Sequence, residues 1–253
     1  KSISFVGYGS PQPTISLDSA SIHANLWNDS QIETNFTNLQ FTSDGNTSEW
    51  AFILNSGSFR FSDCHFYEIH NSYKLRVRNS FLDVTSCDFS NSDQIVDIVS
   101  WADGDHNRIN FNNNQINQES LWIELRDPTD SLFISDYEFL QKDVRLESGY
   151  LNLSDNIFNN CPIKFLVDEG FFESNTFFSC APASGTTLIN IESDGEGTFY
   201  RNLFSWNNAS SGLIHANDTE LFSFDHCTFV SNETSLFSLT GESHGVLSNS
   251  LIQ

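Results

Sequence analysis

The residues best equipped for chemistry are five cysteines, and four of them fall into two matched pairs. Cys64 and Cys87 hold the same place in FRFSDCHF and LDVTSCDF, while Cys161 and Cys180 close LNLSDNIFNNC and GFFESNTFFSC. Matched placement in a repeat brings thiols together when repeats stack, so the spacing predicts disulfides Cys64–Cys87 and Cys161–Cys180. Small buried thiols filling corner positions are the alternative, and Cys227 is left unpaired. Zinc fits poorly, because no close CxxC and no clustered histidines accompany the pairs.

Carboxylates recur in turns, as Asp103/Asp105, Asp127/Asp130, Asp168/Glu169, Asp194/Glu196 and Asp218/Glu220. Stacked, such turns would hold Ca²⁺ through carboxylate and carbonyl oxygens, with Asp103, Asp105, Asp194 and Glu196 the best candidates. A solvated acidic turn is the competing reading, and no other cofactor is expected. Glycan acceptor motifs occur at Asn28, Asn35, Asn46, Asn152, Asn208, Asn217 and Asn232; those at Asn208, Asn217 and Asn232 fall in expected turns, where a glycan projects. The histidines are scattered, and no Ser-His-Asp order or phosphate-binding glycine loop stands out.

The elements that must position these residues come from a repeat. LNLSDNIFNNC and GFFESNTFFSC share one frame: apolar, any, apolar, two polar turn residues, Asn, any, Phe and a later Cys. The same frame reads as ISFVGY at Ile3, TNFTNLQF at Thr34, FRFSDCHF at Phe59, LDVTSCDF at Leu82 and INFNNNQI at Ile109. It continues as LFISDYEF at Leu132, GTFYRNLF at Gly197, FSFDHCTF at Phe222 and GVLSNSLI at Gly245. Between frames lies a second apolar segment, such as WAFIL at Trp50 or LWIEL at Leu121. Three short strands in about 22 residues make one rung of a parallel β-helix. Alternate side chains of each strand point inward, so apolar-any-apolar fills a core only when rungs stack. Asn tolerates the left-handed corner, and its amide predicts a ladder through Asn114, Asn156, Asn175 and Asn202, interrupted by Cys64, Cys87, Cys227 and Tyr137.

Composition agrees with strands. Phe numbers 24, Met is absent and charged residues make up only 17%. With 11 basic against 33 acidic residues the formal charge is −22, which repels phosphate backbones and anionic lipid; nucleic acid is not an expected partner. No apolar run approaches the roughly 20 residues of a membrane span, so no membrane insertion is expected.

With its Phe-x-x-Asn frame (Phe172 to Asn175, Phe199 to Asn202), the array resembles the pectate-lyase-like superfamily of right-handed parallel β-helices. The repeats are similar to those of polymorphic membrane proteins, and the opening SISFVGYGSPQPTISL is similar to secreted eukaryotic β-helix proteins. The resemblance implies an all-β, right-handed, single-stranded parallel β-helix. Counting frames gives one domain over residues 1–253 with 11 to 12 rungs, or a segment of a longer one. Polysaccharide-cleaving members of this superfamily would carry Asn-Thr-Asp, Asp-Asp, Gly-His-Gly and Arg-Ile-Lys sets. The nearest matches here are Ser243-His244-Gly245 and Arg108-Ile109-Asn110, so no catalytic residue is expected. The resulting expectation is a secreted, non-catalytic structural or adhesive glycoprotein. Its frames begin at Ile3 and run to the last residues without a capping helix, which points to end-to-end self-association or to neighbouring β-helical segments. Carbohydrate binding, or a lyase or hydrolase activity, is the alternative.

Overall fold

A computed structural model describes residues 2–9, 12–16, 22–25, 33–43, 52–69, 73–90, 96–100, 106–116, 119–183, 187–191, 195–217, 221–233 and 235–253. Among these residues there is no helix, and parallel strands stack as a β-solenoid. The contacts cluster into two units, residues 1–132 and 133–253.

Each rung has three strands, and the alternation in the sequence dictates which side chains they bury. In the first unit the frame strands Ser2–Val6, Glu33–Thr37, Ser58–Ser62, Phe81–Thr85 and Arg108–Asn112 pair in parallel and in register, for example Phe36 with Phe61 and Val84 with Phe111. Inward residues such as Phe59, Phe61, Leu82 and Val84 are fully buried, and their neighbours in sequence face out. The third strands run beside them, and Gln40–Ser43, His65–Ile69 and Asp88–Ser90 send Phe41, Phe66 and Phe89 into the core. Phe66 stacks on Phe41 at 5.2 Å and on Phe89 at 4.6 Å, near the strand spacing itself.

The second unit repeats the plan. The long strands Asp143–Ser154 and Pro162–Glu173 merge the first and frame strands, and they put Leu153 opposite Phe172. The third strands Glu138–Leu140, Ile157–Asn159, Thr176–Phe178, Leu203–Ser205, Thr228–Val230 and Leu251–Ile252 carry a column of rings. Phe139, Phe158, Phe177, Phe204 and Phe229 stack at 4.7 to 5.1 Å. Three frames place glycine at the first inward position: Gly170, Gly197 and, in the outermost frame, Gly245. A Cβ on Gly170 would lie 2.4 Å from Phe172 Cε2, and one on Gly197 would lie 2.3 Å from Ile191 Cδ1, so a neighbouring side chain fills each empty slot.

The solenoid has about eight turns, against the 11 to 12 rungs read from the frames. Ile3 and Phe5 in Ser2–Val6, and Leu247 in Gly245–Ser248, are exposed at the inward positions of the outermost frames.

Candidate functional site

The chemistry-bearing residues gather at the corners, where each rung turns sharply. The turning residues have positive φ, including Asp63, Ser86, Asp155, Ser174 and Arg201, and the next residue points into the solenoid. A buried corner residue leaves backbone groups of neighbouring rungs without water, and its side chain must supply their partners.

At the corner after the frame strand, asparagine does this in both directions. Asn156 N–H donates to Asn175 Oδ1 at 3.0 Å, and Asn175 N–H donates to Asn202 Oδ1 at 2.9 Å. In return Asn156, Asn175 and Asn202 donate through Nδ2 to the carbonyls of Ile134, Leu153 and Phe172 at 2.7 to 3.1 Å. In the first unit Asn114 serves the amide of Cys87 and the carbonyl of Val84 in the same way. The expected ladder members therefore all occupy it.

All five cysteines are free, buried thiols, so the bridges Cys64–Cys87 and Cys161–Cys180 are not formed. Both pairs do lie on adjacent turns. His65, one residue after Cys64, pairs with Asp88, one residue after Cys87, and Phe158 pairs with Phe177 three residues before Cys161 and Cys180. Each sulfur instead takes the hydrogen-bonding role of the asparagine amide. Cys64 donates to Phe36 O at 3.3 Å, Cys87 to Phe61 O at 3.5 Å, Cys161 to Phe139 O at 3.2 Å, Cys180 to Phe158 O at 3.3 Å and Cys227 to Phe199 O at 3.4 Å. Burial pushes the Cys180 thiol up to about 12 and raises Cys161 and Cys227, while its hydrogen bond with Cys64, then burial, raises Cys87. A raised thiol is a poor nucleophile and a poor metal ligand.

Two further columns were not anticipated. Cys161 and Cys180 belong to a second corner that continues through Asn207 and Asn232. Cys180 N–H donates to Asn207 Oδ1 at 2.8 Å, and Asn207 N–H donates to Asn232 Oδ1 at 3.0 Å. The signal was available, because Asn207 and Asn232 follow Phe204 and Phe229 at the same offset as the cysteines follow theirs. A third corner stacks Ser80, Asn107 and Asp130. Ser80 N–H donates to Asn107 Oδ1 at 3.2 Å, and Asp130 Oδ1 accepts from Asn107 N–H at 2.7 Å and Nδ2 at 3.1 Å. Asp130 is fully buried, and desolvation raises its carboxyl above the usual range against these opposing hydrogen bonds. The acidic turn Asp127/Asp130 is thus part of the scaffold rather than a solvated loop.

Beside this third corner an open cleft of about 250 Å³ is lined by Gly57, Ser58, Asn79, Ser80, Phe81, His106 and Arg108. Arg108 lies 6.0 Å from the Phe81 ring, and His106 Nδ1 contacts Thr129 Oγ1, which donates to Asp127 Oδ1 at 2.5 Å. The Arg108-Ile109-Asn110 match sits at its rim. Its lining contains a base and a cation but no carboxylate, whereas glycosidic cleavage of the usual kind places two carboxylates across the bond.

Of the calcium candidates, Asp103, Asp105 and Asp194 lie outside the described residues. Glu196 is exposed and stands in register with Leu221. Among the described residues no three His, Cys, Asp or Glu side chains converge as a metal site. Of the glycan acceptors, Asn28 and Asn46 also lie outside. Asn232 has its amide committed to Phe204 O at 3.0 Å, Asn217 accepts from Thr240, and Asn35 and Asn152 are half-buried on strand faces. Asn208 is exposed, and its Nδ2 donates to Glu233 Oε2 at 3.2 Å.

No family model matches the chain, and neither a curated protein nor a solved structure matches it.

Proposed function

We propose that the protein is a non-catalytic structural or adhesive element of the pectate-lyase-like β-helix kind, working outside the cell, its solenoid extended by further copies of the chain or by neighbouring β-helical segments. The observation that supports this most is the pair of open edge strands. Among the described strands, Ser2–Val6 pairs only with Glu33–Thr37, and Gly245–Ser248 only with Leu221–Asp225. Each leaves a row of backbone donors and acceptors beside exposed apolar side chains, Ile3 and Phe5 on one and Val246 and Leu247 on the other. Such an edge templates another strand. Phe5 already stacks on Phe36 at 5.1 Å, and an added rung would continue that column.

The extracellular assignment draws on Asn208 as an exposed glycan acceptor. The experiment is electron microscopy and sedimentation of the chain beside a Phe5→Glu/Leu247→Glu variant. Filaments or long oligomers that vanish in the variant support the reading, and single particles of both forms at every concentration sink it.

A second reading is a carbohydrate-binding or carbohydrate-cleaving β-helix. The cleft at Phe81, His106 and Arg108 favours it, since an aromatic ring beside a guanidinium suits an anionic sugar. Binding of acidic polysaccharide that is abolished by Arg108→Ala would support it over the fibre.

A further inference from the structure

Three successive rungs build the open cleft beside the third corner. Phe81 stands in register between Ser58 and Arg108, so a hydroxyl, a ring and a guanidinium lie side by side at the strand spacing of about 4.8 Å. The same outward position of the frame carries Glu33, Glu169 and Glu196 in other rungs. No carboxylate lines the cleft, although the chain has 33 acidic residues, and Glu33, in register with Ser58, is engaged by Arg60 at 3.5 Å.

The buried column behind the cleft fixes its walls. Asn79 and His106 each come one residue before a member of that column, Ser80 and Asn107, and His106 N–H donates to Asn79 Oδ1 at 3.1 Å. The turn that carries Asp130, the acceptor for Asn107, also holds the His106 ring. Thr129 O–H donates to Asp127 Oδ1, so the Thr129 oxygen accepts from His106 Nδ1–H. That contact sets the tautomer: the neutral ring carries its proton on Nδ1 and presents the lone pair of Nε2. Such an acceptor suits a hydroxyl, and the planar fork of Arg108 suits a carboxylate. At about 250 Å³ the cleft is smaller than the roughly 300 to 1,000 Å³ of pockets for drug-sized ligands, so it admits a small molecule or one terminal ring of a larger one.

We propose that this cleft binds a small hydroxy acid, with its carboxylate on the Arg108 guanidinium, its hydroxyl on His106 Nε2, and Ser58 and Asn79 as further donors. The proposal rests on the cleft that the carbohydrate reading uses, and it adds that two functional groups on one small unit are what the cleft recognises. A uronic-acid unit carries the same two groups, so the ligand arrives either free or at the end of a polysaccharide.

The test is isothermal titration calorimetry of the whole chain with malate and with succinate, which lacks the hydroxyl. Malate is expected to bind at least about fivefold more tightly than succinate. Arg108→Gln should weaken malate at least about tenfold, and His106→Phe should erase the preference between the two acids. Both side chains are exposed, so thermal unfolding should stay unchanged in these variants. Arg126→Gln removes another exposed guanidinium, paired with Glu124, and should leave both affinities as they are, which separates recognition from bulk charge. Equal binding of the two acids, malate binding indifferent to Arg108→Gln, or no malate binding overturns the proposal. A uronic-acid polymer titrated in parallel distinguishes the sources. Polymer binding that Arg108→Gln abolishes, with no malate binding, overturns the proposal and leaves the carbohydrate reading standing. Malate binding without polymer binding supports the proposal and removes that reading, and displacement of bound polymer by malate supports both.

Discussion

The two units solve one problem with different side chains. At the corner after the frame strand the first unit places Cys64, Cys87 and Asn114, and the second places Asn156, Asn175 and Asn202 before Cys227. The carbonyl two residues into the preceding frame is met in every case, by a thiol at 3.3 to 3.5 Å or by an amide at 2.7 to 3.1 Å. The amide also accepts a backbone N–H from the preceding rung through its oxygen, and the sulfurs of Cys64, Cys87 and Cys227 meet the backbone of Leu39, Cys64 and Asn202 in the same way. A small donor aimed backward serves the corner at these seven positions, whereas Leu39 and Tyr137 hold the same place with other side chains.

The largest expected effect separates those roles. Asn175→Ala strands the amide of Asn156 and the carbonyl of Leu153 in a dry corner, and each buried orphan costs about 1 to 3 kcal/mol. A loss of about 4 kcal/mol should appear in urea unfolding, against about 1 kcal/mol for Cys87→Ala. Equal losses would show that the amide's second bond contributes nothing.

Core filling differs as well. The first unit sets Leu82 and Val84 side by side as the inward pair, whereas the second sets Gly170 beside Phe172 and Gly197 beside Phe199. Phe172 is held against Phe199 at 4.5 Å, so it cannot yield to a new methyl group. Gly170→Ala should cost about 2 kcal/mol through overpacking. Gly170→Leu with Phe172→Val, which imports the filling of the first unit, should recover most of that loss in thermal unfolding. No recovery would mean that the rings, rather than total volume, hold this rung.

This contrast also marks what a sequence can disclose. Strand alternation fixes which face is buried, so the frame, the parallel register and the ladder Asn156, Asn175 and Asn202 were legible. Enclosure is not a local property: Phe5 and Leu247 fit the frame as the buried residues do, yet they are exposed in the outermost strands. Spacing placed Cys161 and Cys180 on adjacent turns but did not say where their sulfurs point. Both corner partners lie along the column, and Asn207 and Asn232 continue it at the same offset from Phe with a different residue type. Asp130 was unreadable for the opposite reason: an acidic residue in a turn is ordinarily solvated, and burial beneath Asn107 depends on neighbouring rungs.

Asp130 gives the pH test. Its carboxyl titrates above the unfolded value because of desolvation, so the folded state binds its proton more tightly. Its contribution is complete below the unfolded carboxylate pKa and is lost as pH rises through the higher folded one. Asp130→Asn, which copies the amide ladder into this third corner, should remove that loss and raise stability at neutral pH by about 1 kcal/mol. Stability measured against pH from acid to neutral should then be flatter for the variant. A wild-type curve that climbs more steeply than the variant's over this range would reverse the sign and place the carboxylate's partners in control.

The smallest effect is the most direct exchange between the units. Cys87→Asn would let the new oxygen accept Cys64 N–H, while its amide donates to Phe61 O as the thiol does now. Cys87 N–H keeps Asn114 Oδ1 as its own acceptor. The volumes are similar, so the change should be neutral or stabilising by up to about 1 kcal/mol. The same sample decides the state of the sulfurs. Wild-type thiols, with Cys180 raised to about 12, should resist an aromatic disulfide reagent in the native fold, and all five should react once unfolded without reductant. One reactive thiol instead of five would mean that both adjacent pairs bridge, and Cys87→Asn would then cost several kcal/mol by opening one of them.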